Sequence, residues 1–318
     1  MPMAIQHLAP SMTWGHDRST WVVIGFLIVA PLSALRSLDA LKYTSTLSGF
    51  FLLFLLLLVV GYAYPGGYDP CPLTSQSESS SVADLDVKLN ECRGDRDWIL
   101  LTPHAFHVMP IFVFGYACQQ NTFAIVNELK RPTPERTNSV FVASILTAIV
   151  VYIIMASCGY ISYGDAVNSN ILVSYPNNVL TSLARVFVSF VVSTHYPLQA
   201  HPARKSVLSL LAYMYNNGVE PTNVFVYYAR YILVVAIFLG LSLVIALTVE
   251  DLGVVLAFVG ATGSTTITYI LPGVFYYTLM KNDSRASKAL VSLSKFQFIF
   301  GCCLVPLSLI AIFVVIGS

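Results

Sequence analysis

Residues 108–129, VMPIFVFGYACQQNTFAIVNEL, form an apolar run long enough to cross a bilayer, yet its centre carries Gly115, Tyr116, Cys118, Gln119, Gln120, Asn121 and Thr122. Hydrocarbon offers no water to an unpaired peptide or amide group, so such residues are expensive at membrane depth. Two arrangements satisfy them. One is a broken helix whose freed backbone lines a cavity, the device by which membrane carriers hold a solute. The other is a packed helix whose small residues admit a close neighbour. Both require the rest of the chain to be membrane-embedded.

Composition meets that requirement. Of 318 residues, 56% are hydrophobic and 10% charged, against roughly 25% charged in soluble domains. A net charge of +1 excludes nucleic acid as a partner, because that needs a concentrated basic face. No charged region leads into an apolar core and cleavage site near Met1, so a secretory signal is not expected. With about 20 apolar residues per crossing, eight spans are predicted at 20–35, 47–64, 106–126, 140–163, 180–200, 224–249, 252–280 and 296–316. The seventh is long and is expected to tilt or break near Gly260, Gly263 and Pro272.

Connecting charges orient these spans. Loops after odd-numbered spans hold Arg36, Lys42, Lys130, Arg131, Arg136, Arg204, Lys205, Lys281, Arg285, Lys288 and Lys295, while opposite loops hold only Lys88, Arg93 and Arg96. The positive-inside rule puts the first set in the cytosol and both termini in the lumen or outside. The loop 65–103, with SQSESSS and mixed charge, reads as unstructured. Its Cys71 and Cys92 pair as a disulfide if the loop faces an oxidising compartment. The sequon at Asn282 falls on the cytosolic side and is read as chance.

Several side chains carry two readings. Ser193 and Thr194 suit a hard cation or a substrate carboxylate, or else bond back to a carbonyl one turn earlier. Pro197 and Pro202 are expected to loosen the end of that helix. His104, His107, His195 and His201 are interfacial or pH-sensitive groups, and no carboxylate or thiol stands at metal-ligand spacing beside them. Arg185 and Arg230 lie near span ends and are expected to snorkel. Gly260 and Gly263 in GATGST read as packing and gating positions, and Asp251 as a helix cap. No nucleophile motif, paired carboxylates or Gly-rich phosphate loop is present, so an enzyme is not expected.

Five ordered motifs extend this reading: PLSALRSLDALKYTS at 31–45, MPIFVFGYACQQNTFAIVNEL at 109–129, GYISYGD at 159–165, YPLQAHPARKS at 196–206, and DLGVVLAFVGATGSTTITYILPGVFYY at 251–277. Together they resemble the amino acid/auxin permease family, in the branch of sodium-coupled neutral amino-acid transporters and fungal vacuolar amino-acid transporters. The resemblance implies an all-α polytopic membrane protein of the inverted-repeat (LeuT-like) transporter fold, with helices four to eleven in this sequence and the first three outside it. It divides the chain into a lumenal segment 1–19, two helices at 20–64 ending the first repeat, the polar loop 65–103, five helices of the second repeat at 104–280 including a broken helix at 104–126, and a cytosolic loop and last helix at 281–318.

By the same resemblance, Phe114, Gly115, Tyr116, Ala117, Cys118 and Gln119 grip an amino-acid substrate through unwound backbone, and Ser193 and Thr194 hold the cation. His195 and Tyr196 stand where the family has further hydroxyls, which argues for protons over sodium. The implied activity is secondary amino-acid transport coupled to H+ or Na+, with no other cofactor, across a vacuolar or lysosome-like membrane; the plasma membrane is the other location. Because helix one, with half the site, is not in this sequence, the chain by itself is expected not to complete an alternating-access cycle. The alternative is a non-transporting membrane partner or amino-acid sensor.

Overall fold

Every peptide group in a span must find its hydrogen bond within the protein, and the helix is the one open element that does so within a single segment. A computed structural model of the chain describes residues 17–33, 42–71, 92–96, 105–216, 223–249, 251–283 and 286–317, and these are helical apart from their connections. The helices are α1 (Arg18–Ser33), α2 (Lys42–Ala63), α3 (Ala105–Gly115), α4 (Gln119–Glu128), α5 (Pro134–Tyr163), α6 (Ile171–Ser174), α7 (Val179–Asn216), α8 (Val224–Thr248), α9 (Leu252–Val259), α10 (Leu271–Met280) and α11 (Lys288–Gly317). Between α9 and α10 the winding loosens into two π-helical segments, Gly260–Ser264 and Thr266–Ile270.

Six of the eight predicted spans are helices long and apolar enough to cross a membrane among the described residues, and the other two are shorter. The first, α1, has 16 residues, a length of about 24 Å at 1.5 Å per residue. The third is interrupted and becomes α3 and α4. Leu27, Phe50, Leu57, Ile232 and Phe313 are among many large apolar side chains left open on the helices. In water such a surface would be an association hazard; lipid is the solvent that suits it.

The chain divides into two compact units, residues 1–96 with 153–250, and 97–152 with 251–318. The segment 1–16, the middle of the polar loop at 72–91, His104 and Glu250 lie outside the described residues.

In the first unit, Leu58, Val59, Tyr62, Tyr163, Tyr175 and Ala184 form the core, and Tyr62 and Tyr175 stack at 4.2 Å. Two stretches of the long loop, residues 65–71 and 92–96, are ordered against it, which the unstructured reading did not foresee. Tyr163 Oη donates to the carbonyl of Pro70, Gly94 N to that of Tyr163, and Cys71 and Cys92 are joined as a disulfide. Arg185 corrects a second expectation. It is buried rather than snorkelling, and its guanidinium donates to the carbonyls of Leu172 and Tyr175 and to Asn177 Oδ1. Five fixed donors suit it to gather the carbonyls of the non-helical segment before α7, which an acid could not do.

The fifth span also differs. Pro197 and Pro202 do not end α7, which continues to Asn216. A proline removes one helical hydrogen bond, and tertiary contacts offset that loss here. Arg204, beyond both prolines, donates to the carbonyl of Ser33 at 2.6 Å and lies 4.6 Å over the ring of Tyr231, tying the extension to α1 and α8. Arg18 at the start of α1 donates to the carbonyls of Ala246 and Val249, the negative end of α8.

In the second unit, Ala257, Ala261 and Ile312 bury themselves against Ile111 and Leu309. The seventh span, expected to tilt or break near Gly260, Gly263 and Pro272, stays one helix and loosens there into the two π segments. Asp251 Oδ1 caps it by accepting from Gly253 N at 2.7 Å, and Thr265 Oγ1 donates to the carbonyl of Gly260 at 2.7 Å, so the wider π turn keeps its carbonyl paired. Gly260 meets the carbonyl of Pro110 so closely that a Cβ there would overlap it, whereas Gly263 faces open space. Gly260 is thus a packing position, and among the described residues nothing lies close to Gly263.

Two outcomes test this account. Gly260→Val is expected to force α3 away from the π segment and destabilise the chain by about 1–3 kcal/mol, the range for overpacking, while Gly263→Ala leaves the melting temperature in detergent within a degree or so. Arg185→Met strips three carbonyl and amide acceptors of a buried donor and is expected to cost about 3 kcal/mol. Equal melting curves for Gly260→Val and Gly263→Ala would refute the close approach.

Candidate functional site: the interrupted helix

The third span stops being a regular helix at Tyr116, resumes at Gln119, and so breaks within the range 114–119 read from the sequence. Glycine at 115 and the short polar run after it supply few apolar contacts to hold a continuous turn, and the chain tightens. Tyr116 N still donates to the carbonyl of Phe112, and Ala117 N takes the nearer carbonyl of Phe114, both at 3.1 Å. Cys118, at φ −109° and ψ 0°, then starts α4 without a side-chain cap. The first amides of a helix have no partner within it and carry the positive end of its dipole. At α4 they point into the break.

The structure brings three of the six residues named for the substrate into direct relation with neighbouring elements. Gly115 presents its carbonyl to Tyr152 Oη, which donates at 3.0 Å from the middle of α5. Tyr116 packs edge to face on the same Tyr152 ring at 5.2 Å. Gln119 Oε1 accepts from Thr268 Oγ1 at 3.2 Å, in the second π segment. Phe114 accepts the amide of Ala117 and leaves its ring 40% exposed. Ala117 is half-buried and the Cys118 thiol is free and exposed. One further step fixes the outer wall: Pro272 has no N–H for the carbonyl of Thr268 four residues before it, and Gln297 Nε2 of α11 takes that carbonyl at 2.9 Å.

Tyr152, Thr268 and Gln297 were not singled out from the sequence. A signal was present, since each is a hydrogen-bonding side chain inside an apolar run, where a partner is obligatory. The identity of the partner required the fold.

Beside the break lies a cleft of about 200 Å³. Met109, Phe112, Val113 and Tyr116 line it from α3 and the break, and Thr268, Tyr269, Phe300 and Leu304 close it from the other side. Tyr269 and Phe300 pack edge to face at 5.4 Å.

Ser193 and Thr194 lie in the first unit, on α7. Ser193 Oγ donates to the carbonyl of Ser189 at 2.8 Å, and Thr194 Oγ1 to those of Phe190 and Val191 at 3.0 Å. Both hydroxyl protons are thus spent on the helix itself, which is the back-bonded one of the two readings given from the sequence. His195 Nδ1 lies 2.9 Å from the carbonyl of Val191, and Tyr196 Oη pairs with Ser242 Oγ at 2.7 Å. Ser193 and Tyr196 also border a second cleft, of about 280 Å³, between α1, α7 and α8.

Comparison with known proteins agrees with this architecture. The chain is 30% identical over 278 residues to vacuolar amino acid transporter 5 of Schizosaccharomyces pombe, covering 87% of this chain and 60% of that protein. It is 27% identical over 340 residues to vacuolar amino acid transporter 6 of Saccharomyces cerevisiae, covering 91% and 71%. With sodium-coupled neutral amino acid transporter 7 of Danio rerio it shares 27% identity over 282 residues, covering 87% and 56%. The chain thus spans 60% of the length of the first of these relatives. The family model of the transmembrane amino acid transporter proteins matches residues 3–316. On that match, and with six described helices long and apolar enough to cross a membrane beside the interrupted one, the chain belongs to the transmembrane amino acid transporter family.

Proposed function

We propose that this chain binds a free amino acid at the Tyr116–Cys118 break and serves secondary transport of amino acids across a vacuole-like internal membrane. The break is the observation that carries the reading. A zwitterion needs both a donor cluster and an acceptor cluster, and a helix interrupted in mid-membrane supplies both from backbone. The leading amides of α4 suit the α-carboxylate, as helix N-termini suit anions. The carbonyls ending α3 suit the α-ammonium, and Tyr152 tethers the one at Gly115. The names of the relatives, two vacuolar and one sodium-coupled, support an amino acid as the solute.

Coupling to protons is favoured over sodium. A sodium site gathers several hard oxygens, and on α7 the hydroxyls of Ser193 and Thr194 are followed by His195 and Tyr196, which bring an imidazole and a phenol instead. The names of the vacuolar relatives support the internal membrane, and that of the third relative gives sodium as the other candidate ion.

The test is uptake of labelled amino acids into proteoliposomes holding this chain together with the three helices that the resemblance places outside it, under an imposed proton or sodium gradient. Uptake is expected with the proton gradient and is expected to vanish in Gly115→Leu, whose side chain fills the break, at unchanged protein levels in the membrane. Tyr152→Phe removes one hydrogen bond of about 0.5–1.5 kcal/mol and is expected to lower uptake by about 2- to 12-fold. Uptake that is indifferent to both substitutions would move the site away from the break; uptake that needs sodium would reverse the coupling assignment.

A further inference from the structure

The cleft beside the break has a shape and chemistry that the backbone of the break does not need. Its four positions on the α3 side, Met109, Phe112, Val113 and Tyr116, follow helical spacing, so they present one continuous face. Tyr116 belongs both to that face and to the break, which makes the cleft continuous with the place where the α-carboxylate and α-ammonium sit. Across from it, Tyr269 and Phe300 hold each other edge to face, and Phe296 stacks behind Phe300 at 6.1 Å. That wall is set in advance by its own packing.

Three polar side chains line the cleft, Tyr116, Thr268 and Tyr269. Thr268 is already engaged, donating its hydroxyl to Gln119 and giving its carbonyl to Gln297, and the two tyrosines offer neutral phenols. No charged residue lines the cleft. A side chain that entered with a carboxylate, ammonium or guanidinium would be desolvated with no opposite charge to pair it, which is strongly unfavourable. An apolar one would gain. The volume of about 200 Å³ exceeds the roughly 150 Å³ that suffices to bind benzene in an apolar protein cavity.

We propose that this cleft receives the substrate's side chain, and that the amino acid held at the break is neutral with a large apolar or aromatic side chain. This rests on the reading of the break as the amino-acid site and adds the specificity element, with Leu304 on α11 as the residue that sets the depth of the cleft. Leu304 is buried and lies on α11, outside the broken helix, so a change there alters cleft volume without altering the backbone that grips the zwitterion.

Equilibrium binding to the same purified protein, this chain together with the three helices placed outside it, with L-phenylalanine, L-alanine and L-lysine as probes, decides the matter. Phenylalanine is expected to bind at least tenfold more tightly than alanine, since each buried methylene is worth about tenfold or more, and lysine is expected to bind more weakly than phenylalanine. Leu304→Trp fills the cleft and is expected to cut the phenylalanine-to-alanine affinity ratio at least tenfold. Leu304→Ala deepens it and is expected to raise the preference for L-tryptophan over phenylalanine. The second variant keeps the test open if the first fails to fold. If amino acids bind but neither variant alters their ranking, the cleft inference is overturned and the break stands; an acyl chain of a bilayer lipid is then its occupant. If no amino acid binds at all, the reading of the break itself fails, and the inference with it.

Discussion

A peptide group in hydrocarbon has no solvent to fall back on, and the second unit is organised around the places where that rule is strained. The helix breaks at Tyr116–Cys118 and frees backbone on both sides. Tyr152 crosses from α5 to take the carbonyl of Gly115. The π segments widen the seventh span, and Thr265 reaches back five residues to Gly260. Pro272 leaves Thr268 without its ordinary donor, and Gln297 supplies one. Tyr152, Thr265 and Gln297 each answer one of these departures with a side chain, so the irregular backbone is held and not merely tolerated.

The first unit solves a different problem by the same means. Its stress lies at connections, where a short turn runs from Tyr163 through α6 to α7. Arg185 gathers the carbonyls of Leu172 and Tyr175, and Tyr163 reaches Pro70 and Ser174. Tyr62 closes the set through Thr181 and Asn178. Arginine is charged and carbonyls are not, so burial of the guanidinium is offset by several charge-assisted hydrogen bonds rather than by an ion pair.

Much of this was legible in the sequence because hydropathy and helix breaking act locally. The eight apolar runs mark eight helical regions, and the polar run after Gly115 marks the break to within a residue or two. The misreadings share one cause. Pro197 and Pro202 predict a helix end from local chemistry, but Arg204 holds the extension through Ser33, 171 residues away. Arg185 predicts snorkelling from depth alone, but its acceptors belong to a turn whose path no local pattern specifies. Gly260 and Gly263 look alike in GATGST, and only the position of Pro110 separates them. The candidate site follows the same division: Gly115 and Gln119 announce themselves, while Tyr152 and Thr268 become informative once their partners are known.

The contact between Gln119 and Thr268 links two elements that are both unusually free to change winding. A break permits α4 to pivot on residues 116–118, and a π segment is one residue per turn looser than an α-helix and can reabsorb that slack. Tightening around Thr268 would withdraw its hydroxyl from Gln119 and shift the first turn of α4. The amides that face the break would move with it. At the other end the first π segment is pinned, since Gly260 abuts Pro110 and cannot slide without a clash. Motion in the seventh span is therefore channelled toward its Thr268 end. An element fixed at one end and bonded to the break at the other would pass a change of winding on to the backbone of the break.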